Sequence, residues 1–157
     1  RLSGFECRVV VFDPYVDAKE IEAHGVDVAD SLESLLEASD FVSLHMRISS
    51  DTHHMIDAEA LRRMKPTAYL VNTARADLVD EEALVDALRD HRIGGAAIDV
   101  YAEEPIGTDH PYLSLDNVTL VSHLAGTSAD TMQTSVEIGF EDLEAYLKGE
   151  ELINRRA

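Results

Sequence analysis

A length of 157 residues is enough for one domain with a single hydrophobic core. The chain carries 31 acidic residues against 13 basic ones, a formal net charge of −18 at pH 7, and such a surface repels nucleic acid and anionic membranes, so neither is an expected partner. Cys7 is the single cysteine, which excludes an intrachain disulfide, and we expect it to be a small buried hydrophobe. No apolar run approaches the roughly 18 residues of a membrane span, and residues 1–8 lack a signal-peptide core, which favours the cytoplasm.

The basic residues are ten Arg and three Lys. An acidic surface poor in Lys is typical of proteins from salt-loaded cytoplasms, where high salt screens the mutual repulsion of the carboxylates. The hypothesis is therefore a halophilic source, and the alternative is an acidic mesophilic enzyme.

Short apolar, β-branched runs alternate with helical patterns along the chain. The runs predict strands at 8–13, 26–29, 41–45, 68–73, 96–100 and 118–122. The helical patterns predict one helix capped by Asp30 or Ser31, a short one at 57–64, one capped by Asp80 that ends near His91, and a long one from Ser128 or Asp130 to Gly149. This alternation predicts an α/β fold, a Rossmann-type doubly wound parallel sheet.

The start of that fold is not visible in the sequence. A dinucleotide-binding domain opens with a strand, a G-x-G-x-x-G turn and a helix, and an acidic residue follows about 20 residues later. Asp13 ends its strand as that acidic residue should, yet only twelve residues precede it. We therefore expect 1–157 to be a partial NAD-binding domain that lacks its first strand and glycine loop.

Three side chains suited to catalysis each follow a strand-like run. Arg75, Glu104 and His123 come after the runs that begin at Ala68, Ala96 and Thr119, and the carboxyl ends of parallel strands line one crevice where ligands bind. A guanidinium binds a carboxylate through two parallel hydrogen bonds, and an imidazole exchanges protons near neutral pH. Taken singly, each has a plainer explanation: a surface arginine, a solvated acidic pair with Glu103, and a structural histidine.

The motifs around these residues resemble the signatures of the D-isomer-specific 2-hydroxyacid dehydrogenases, in the order and spacing of that family's NAD-binding domain. The resemblance extends from about Leu2 to Asn154. Two departures lie close to the expected site: Ala76 replaces the usual Gly, and Leu124-Ala-Gly-Thr-Ser128 replaces a common Leu-Gly-Ala-Ser-Thr. The motifs are Asn72-Thr-Ala-Arg75, Val79-Asp-Glu-Glu-Ala-Leu84, Asp99-Val-Tyr-Ala-Glu-Glu-Pro105 and Ser122-His-Leu124.

The resemblance implies roles for these catalytic residues. Arg75 would hold the substrate carboxylate and polarise the C2 carbonyl. His123 would donate a proton to the keto oxygen and remove it in the reverse direction, and Glu104 would orient that imidazole.

Cofactor positions follow from the same resemblance and from general dinucleotide chemistry. Asp13, followed by Pro14, would accept hydrogen bonds from the adenosine ribose, and its charge would reject a 2′-phosphate, which favours NAD over NADP. The alternative is an ordinary Asp-Pro turn. The resemblance assigns the nicotinamide carboxamide to Asp99, and His45, Thr73 and Ala74 are expected to line the cofactor.

The expected function is an NAD-dependent oxidoreductase that interconverts a D-2-hydroxy acid and its 2-keto acid. The alternatives are an NAD-sensing or corepressor-like binding module and an inactive fragment of the dehydrogenase. The resemblance suggests a homodimer. It also implies that the final helix and tail, about 128–157, lead back toward an absent substrate domain. The pair His53-His54 has no Cys or His at ligand spacing, so no metal is expected.

Overall fold

A computed structural model describes residues 2–152. The chain divides into two compact units, Arg1–Ser122 and His123–Ala157. Three short 3-10 turns lie at Leu2–Phe5, Ala76–Leu78 and Pro111–Ser114. The regular elements are β1 (Val10–Val11), α1 (Ala18–Glu22), β2 (Asp27–Val28), α2 (Leu32–Ala38), β3 (Phe41–Leu44), α3 (Ala58–Arg63), β4 (Tyr69–Asn72), α4 (Glu81–Arg89), β5 (Gly95–Ile98) and β6 (Val118–Leu120) in the first unit, and α5 (Ala129–Lys148) in the second.

The strands of the first unit are parallel and form two sheets, β1-β2 and β3-β4-β5-β6. An α-helix connects each pair of successive strands from β1 to β5, and a 3-10 turn lies between β5 and β6, so the predicted parallel α/β architecture is confirmed. In the doubly wound order 3-2-1-4-5-6 the first strand stands between the second and the fourth. No strand within residues 2–152 takes that central place or joins the two sheets.

One face of the four-stranded sheet forms the core. Alternate strand residues such as Val42 and Leu70 point into it, and their neighbours Phe41 and Tyr69 stack on the other face. Helices α2, α3 and α4 bring fully buried leucines against the inner face, and each such side chain stabilises the fold by about 1.5–3 kcal/mol. These leucines are Leu36, Leu61, Leu84 and Leu88.

Helix starts follow the capping residues that the sequence predicts. Ser31 and Ser34 bond reciprocally to each other's backbone N–H at the start of α2, and Asp80 accepts from Ala83 N at the start of α4. Ser128 accepts from Thr131 N at the start of α5, which ends at Gly149 in the left-handed conformation. None of the helices described is long and apolar enough to cross a membrane.

Two expectations near the N-terminus are wrong. Cys7 is exposed and precedes β1, which spans two residues and not the six predicted. Helix α1 was not predicted because Ile21 is its one buried residue, so the segment has no apolar period to detect. Its start is nevertheless capped by Asp17, whose side chain accepts from Lys19 N.

Candidate functional site

The loop that carries Arg75 is fastened by a buried amide. Asn72 ends β4 and is 2% exposed. Its Nδ2 donates to the Arg75 carbonyl at 2.8 Å, and its Oδ1 accepts from Ala74 N at 3.1 Å. Because a buried amide left unpaired is costly, these two bonds fix the path of the backbone through Arg75. Sequence reasoning did not single out Asn72, although a polar residue closing an apolar strand was the available signal.

The Arg75 side chain itself is exposed at the carboxyl end of β4. One guanidinium nitrogen donates to the Ala74 carbonyl at 2.5 Å. No carboxylate among residues 2–152 forms an ion pair with Arg75. The remaining donors of the guanidinium fork are therefore available to an anionic ligand.

Asp99 supplies a buried carboxylate at the end of the neighbouring strand β5. It is 2% exposed, and its N–H donates to the Asn72 carbonyl at 3.0 Å. Asn72 and Asp99 are the two buried polar residues in the described part of the chain. A carboxylate at this depth is an acceptor for amide N–H donors, which is the chemistry that a nicotinamide carboxamide requires.

Two further predicted positions lie at the same edge of the sheet. Strands β3 and β4 pair with Leu44 opposite Asn72, so His45 and Thr73 are the next residues of each chain segment. His45 Nε2 lies 2.9 Å from the Ser43 hydroxyl, and both His45 and Thr73 are exposed. The topology therefore brings His45, Thr73 and Arg75 to one edge.

Asp13 and Pro14 follow β1, in the two-stranded sheet. The Asp13 Oδ1 accepts a hydrogen bond from Tyr15 N at 2.9 Å and so forms a turn of its own. One carboxylate oxygen is thus used by the local backbone. The other carboxylate oxygen accepts no hydrogen bond from the rest of residues 2–152.

Glu104 lies on the exposed loop after β5. Its Oε1 accepts from Tyr101 N at 3.0 Å, and the peptide bond between Glu104 and Pro105 is cis. The Tyr101 hydroxyl donates toward Val121 O at 2.8 Å and Ile98 O at 3.1 Å. Burial, and next the carboxylates of Asp99 and Glu104, raise the pKa of Tyr101, against the lowering effect of its bond to Val121, so the phenol stays protonated at neutral pH.

His110 supports the far end of that loop. Its ring makes an edge contact with Tyr101 at 6.2 Å between centroids and lies 4.9 Å from the Tyr112 ring. Its Nδ1 accepts from Tyr112 N, and its Nε2 lies 3.4 Å from a Glu81 carboxylate oxygen. These contacts give His110 a structural role in holding the loop.

His123 begins the second unit, whereas Arg75 and Glu104 belong to the first. His123 is exposed and has a φ of 54°, in the left-handed region that few residues other than glycine adopt. Such a conformation costs about 1–3 kcal/mol and recurs at functional positions. The Thr127 N–H donates to the Leu124 carbonyl at 2.9 Å and closes a turn directly after His123.

Comparison with known proteins identifies the family of this chain. Residues 1–125 match the family described as "D-isomer specific 2-hydroxyacid dehydrogenase, NAD binding domain". A glyoxylate reductase from Thermofilum pendens is 42% identical over 96% of this chain and 44% of its own length. An (S)-sulfolactate dehydrogenase from Chromohalobacter salexigens is 42% identical over 79% of this chain and 40% of its own length. The chain thus spans less than half the length of these curated relatives.

Solved structures agree with the fold. The D-lactate dehydrogenase with NAD+ from Lactobacillus jensenii superposes with a TM-score of 0.88 at 28% identity, over 99% of this chain and 50% of that one. The match to an NAD-binding domain confirms the expected cofactor class, and the buried Asp99 and the turn-forming Asp13 fit it. The chain belongs to the D-isomer-specific 2-hydroxyacid dehydrogenases, and the matched part is their NAD-binding domain.

Proposed function

We propose that this chain is the NAD-binding and proton-transferring part of an oxidoreductase that interconverts a D-2-hydroxy acid and its 2-keto acid. The proposal rests on the carboxyl edge of β4 and β5. There Asn72 holds the backbone of Arg75, and the Arg75 guanidinium has no carboxylate partner within residues 2–152. The buried Asp99 ends the neighbouring strand. When NAD is bound it supplies the hydride acceptor, and NADH the hydride donor. The side chains of the protein bind and orient the substrate, and they exchange a proton with its C2 oxygen.

Arg75 is proposed to bind the substrate carboxylate. A guanidinium binds a carboxylate through two parallel N–H···O bonds, which fix the plane of the acid as well as its position. Asn72 contributes indirectly, because its two bonds hold the backbone from which Arg75 projects. The strongly acidic chain makes an unpaired cation at this edge a selective site for a small anion.

His123 is proposed as the proton donor to the keto oxygen, and as the base in the reverse direction. Imidazole is the side chain that changes charge near neutral pH without special perturbation, which suits reversible proton transfer. Glu104 is proposed as the carboxylate that orients this imidazole. Support comes from the matched family motifs and from the left-handed backbone of His123.

For the cofactor, we propose that Asp13 and Pro14 meet the adenosine ribose. Asp99 would accept from the carboxamide, and His45, Thr73 and Ala74 would line the nicotinamide side. The charge of Asp13 would reject a ribose 2′-phosphate, so NAD is preferred to NADP. A homodimer, a cytoplasmic location and the absence of nucleic-acid or membrane partners complete the proposal. The exposed free thiol of Cys7 supports a cytoplasmic location, since exposed thiols persist in reducing compartments. The net charge of −18 supports the absence of nucleic-acid and membrane partners, because it repels both.

The test is steady-state reduction of 2-keto acids by NADH in the full-length protein. His123→Ala should lower kcat by several orders of magnitude while changing NADH affinity little, because the imidazole acts on the proton and not on cofactor binding. The matched control is His24→Ala, which removes an exposed imidazole beyond α1 and should leave kcat unchanged. An active His123→Ala enzyme would refute the assignment. NADH binding with no turnover of any 2-keto acid would favour the binding-module alternative.

A further inference from the structure

Two arginines occupy equivalent positions after neighbouring strands. Strands β3 and β4 run parallel with Leu44 opposite Asn72, and Arg47 and Arg75 each stand three residues beyond that pair. Neighbouring strands lie about 4.8 Å apart. The register therefore sends both cations to the same edge of the sheet, and the proposed function uses only Arg75.

Both guanidinium groups are exposed and uncompensated. Within residues 2–152, the arginines that form ion pairs with carboxylates are Arg8, Arg63, Arg89 and Arg92. Arg47 and Arg75 do not, although the chain has 31 acidic residues. The other unpaired arginine of this part is Arg62, on the exposed side of α3. An acidic chain that leaves two arginines without a carboxylate partner beyond neighbouring strands offers two cationic groups to anionic ligands.

The backbone at Arg47 is anchored, as it is at Arg75. The Thr52 hydroxyl donates to the Arg47 carbonyl at 2.8 Å and accepts from Ser49 N at 2.8 Å. Thr52 therefore holds the backbone of the loop after β3, through bonds that are more exposed than those of Asn72 after β4. Holding the backbone reduces the conformational entropy that the arginine loses when it binds a ligand.

We propose that Arg47 binds a second anionic group of the substrate, so that the preferred substrate is a 2-keto acid carrying a sulfonate, phosphate or second carboxylate beyond C2. The inference rests on the proposed function, in which Arg75 binds the C1 carboxylate. The planar guanidinium matches the oxygens of all three groups. The register of β3 against β4 places Arg47 at the position equivalent to Arg75, the arginine assigned to the substrate carboxylate, and this equivalence assigns Arg47 to the substrate. The KM for NADH distinguishes the substrate from the phosphates of the dinucleotide.

The experiment compares a dianionic and a monoanionic keto acid in the full-length enzyme, with 3-sulfopyruvate and glyoxylate as probes and NADH as reductant. Arg47→Ala should lower kcat/KM for 3-sulfopyruvate by about 10- to 100-fold, the loss expected for one charge-assisted contact. It should change kcat/KM for glyoxylate by less than about 3-fold and leave the KM for NADH unchanged, because neither ligand needs the second cation. Arg62→Ala is the matched control and should alter none of the three values.

The possible results distinguish a failure of the role of Arg47 from a failure of the proposed function on which that role rests. Equal losses for both keto acids, or no loss for either, overturn the role of Arg47 and leave the proposed function standing. A raised KM for NADH assigns Arg47 to the cofactor phosphates instead and also overturns the inference. A wild-type enzyme that reduces glyoxylate but not 3-sulfopyruvate overturns the inference and leaves the proposed function standing. One that reduces no 2-keto acid refutes the proposed function, and the inference fails with it. Arg47→Lys keeps the charge without the fork and should retain part of the preference, which guards against a folding defect in Arg47→Ala.

Discussion

The backbone N–H of Tyr101 donates a hydrogen bond to the Glu104 carboxylate at 3.0 Å, while the phenol of the same tyrosine donates to carbonyls at the ends of β5 and β6. One residue thus orients the carboxylate and fastens its loop to the sheet. The phenol has one proton, so its bond to Val121 O at 2.8 Å is the stronger and its contact with Ile98 O at 3.1 Å the weaker.

Tyr101→Phe should therefore destabilise the protein by about 1 kcal/mol, because it removes the hydroxyl and leaves the carbonyls of Ile98 and Val121 without this donor. Urea denaturation measures the difference. Tyr146→Phe, at a side chain that is 72% exposed, is the control and should change the free energy of unfolding by less than about 0.5 kcal/mol. Equal effects of the two substitutions would contradict the role given to the Tyr101 phenol.

Two glycines should respond oppositely to alanine. A Cβ at Gly95 would stand 2.5 Å from Asn117 O and 2.8 Å from a Tyr69 ring carbon, so backbone must move to admit it. Gly95→Ala should destabilise by about 1–3 kcal/mol. A Cβ at Gly139, within α5, meets nothing within 4 Å, so Gly139→Ala should stabilise by about 0.5–1 kcal/mol through helix propensity. Thermal unfolding of both variants checks the pair, and a stable Gly95→Ala protein would show that the strands separate easily.

Tyr112 should make the fold sensitive to alkali. Burial, and next the Glu81 carboxylate and Tyr101, raise its pKa above the ordinary value. A pKa that is higher in the folded than in the unfolded state means that the folded state holds the proton more tightly. That stability is fully present below about pH 10 and is lost as the pH rises beyond it.

The corresponding measurement is the free energy of unfolding at pH 8 and pH 11, from denaturant titration of the wild-type protein and of Tyr112→Phe. The wild-type protein should lose more stability between the two pH values, since the variant has no phenol to ionise there. Identical losses would mean that other groups cause the alkaline sensitivity.

High salt should stabilise the chain if it comes from a salt-loaded cytoplasm. The net charge of −18 makes the folded state repel itself, and salt shortens the range of that repulsion, from about 10 Å at 0.1 M to about 3 Å at 1 M. The thermal unfolding midpoint in molar KCl should exceed that in dilute buffer by several degrees. A midpoint that does not change would favour an acidic mesophilic enzyme.

Local signals in the sequence predict much of this fold. Ser31, Asp57, Asp80 and Ser128 each begin a helix because their side chains bond to backbone N–H groups within the next turn, and that chemistry is readable from residue type. The extent of β1 was predicted wrongly because its pairing with β2 determines where the strand ends. Helix α1 was not predicted because it has one buried side chain and therefore no apolar pattern.

The site is less readable than the fold. The sequence places Arg75 beyond a strand, but the bonds that hold its loop come from the Asn72 side chain, and the burial of that side chain cannot be read from its residue type. Arg47 was overlooked for a related reason. Its significance lies in the register of β3 against β4 and in its lack of a carboxylate partner within residues 2–152, and neither can be read from one strand alone.

The two bonds of the Asn72 amide also limit how this domain can vary. Lengthening or shortening the chain between Asn72 and Arg75 would move Ala74 N or Arg75 O away and leave a buried amide group without its partner. The loop after β3 is instead held by the exposed Thr52–Ser49 contact, which water can replace. Insertions and deletions among related domains should therefore accumulate after β3, while the segment after β4 keeps its length even where substrates differ.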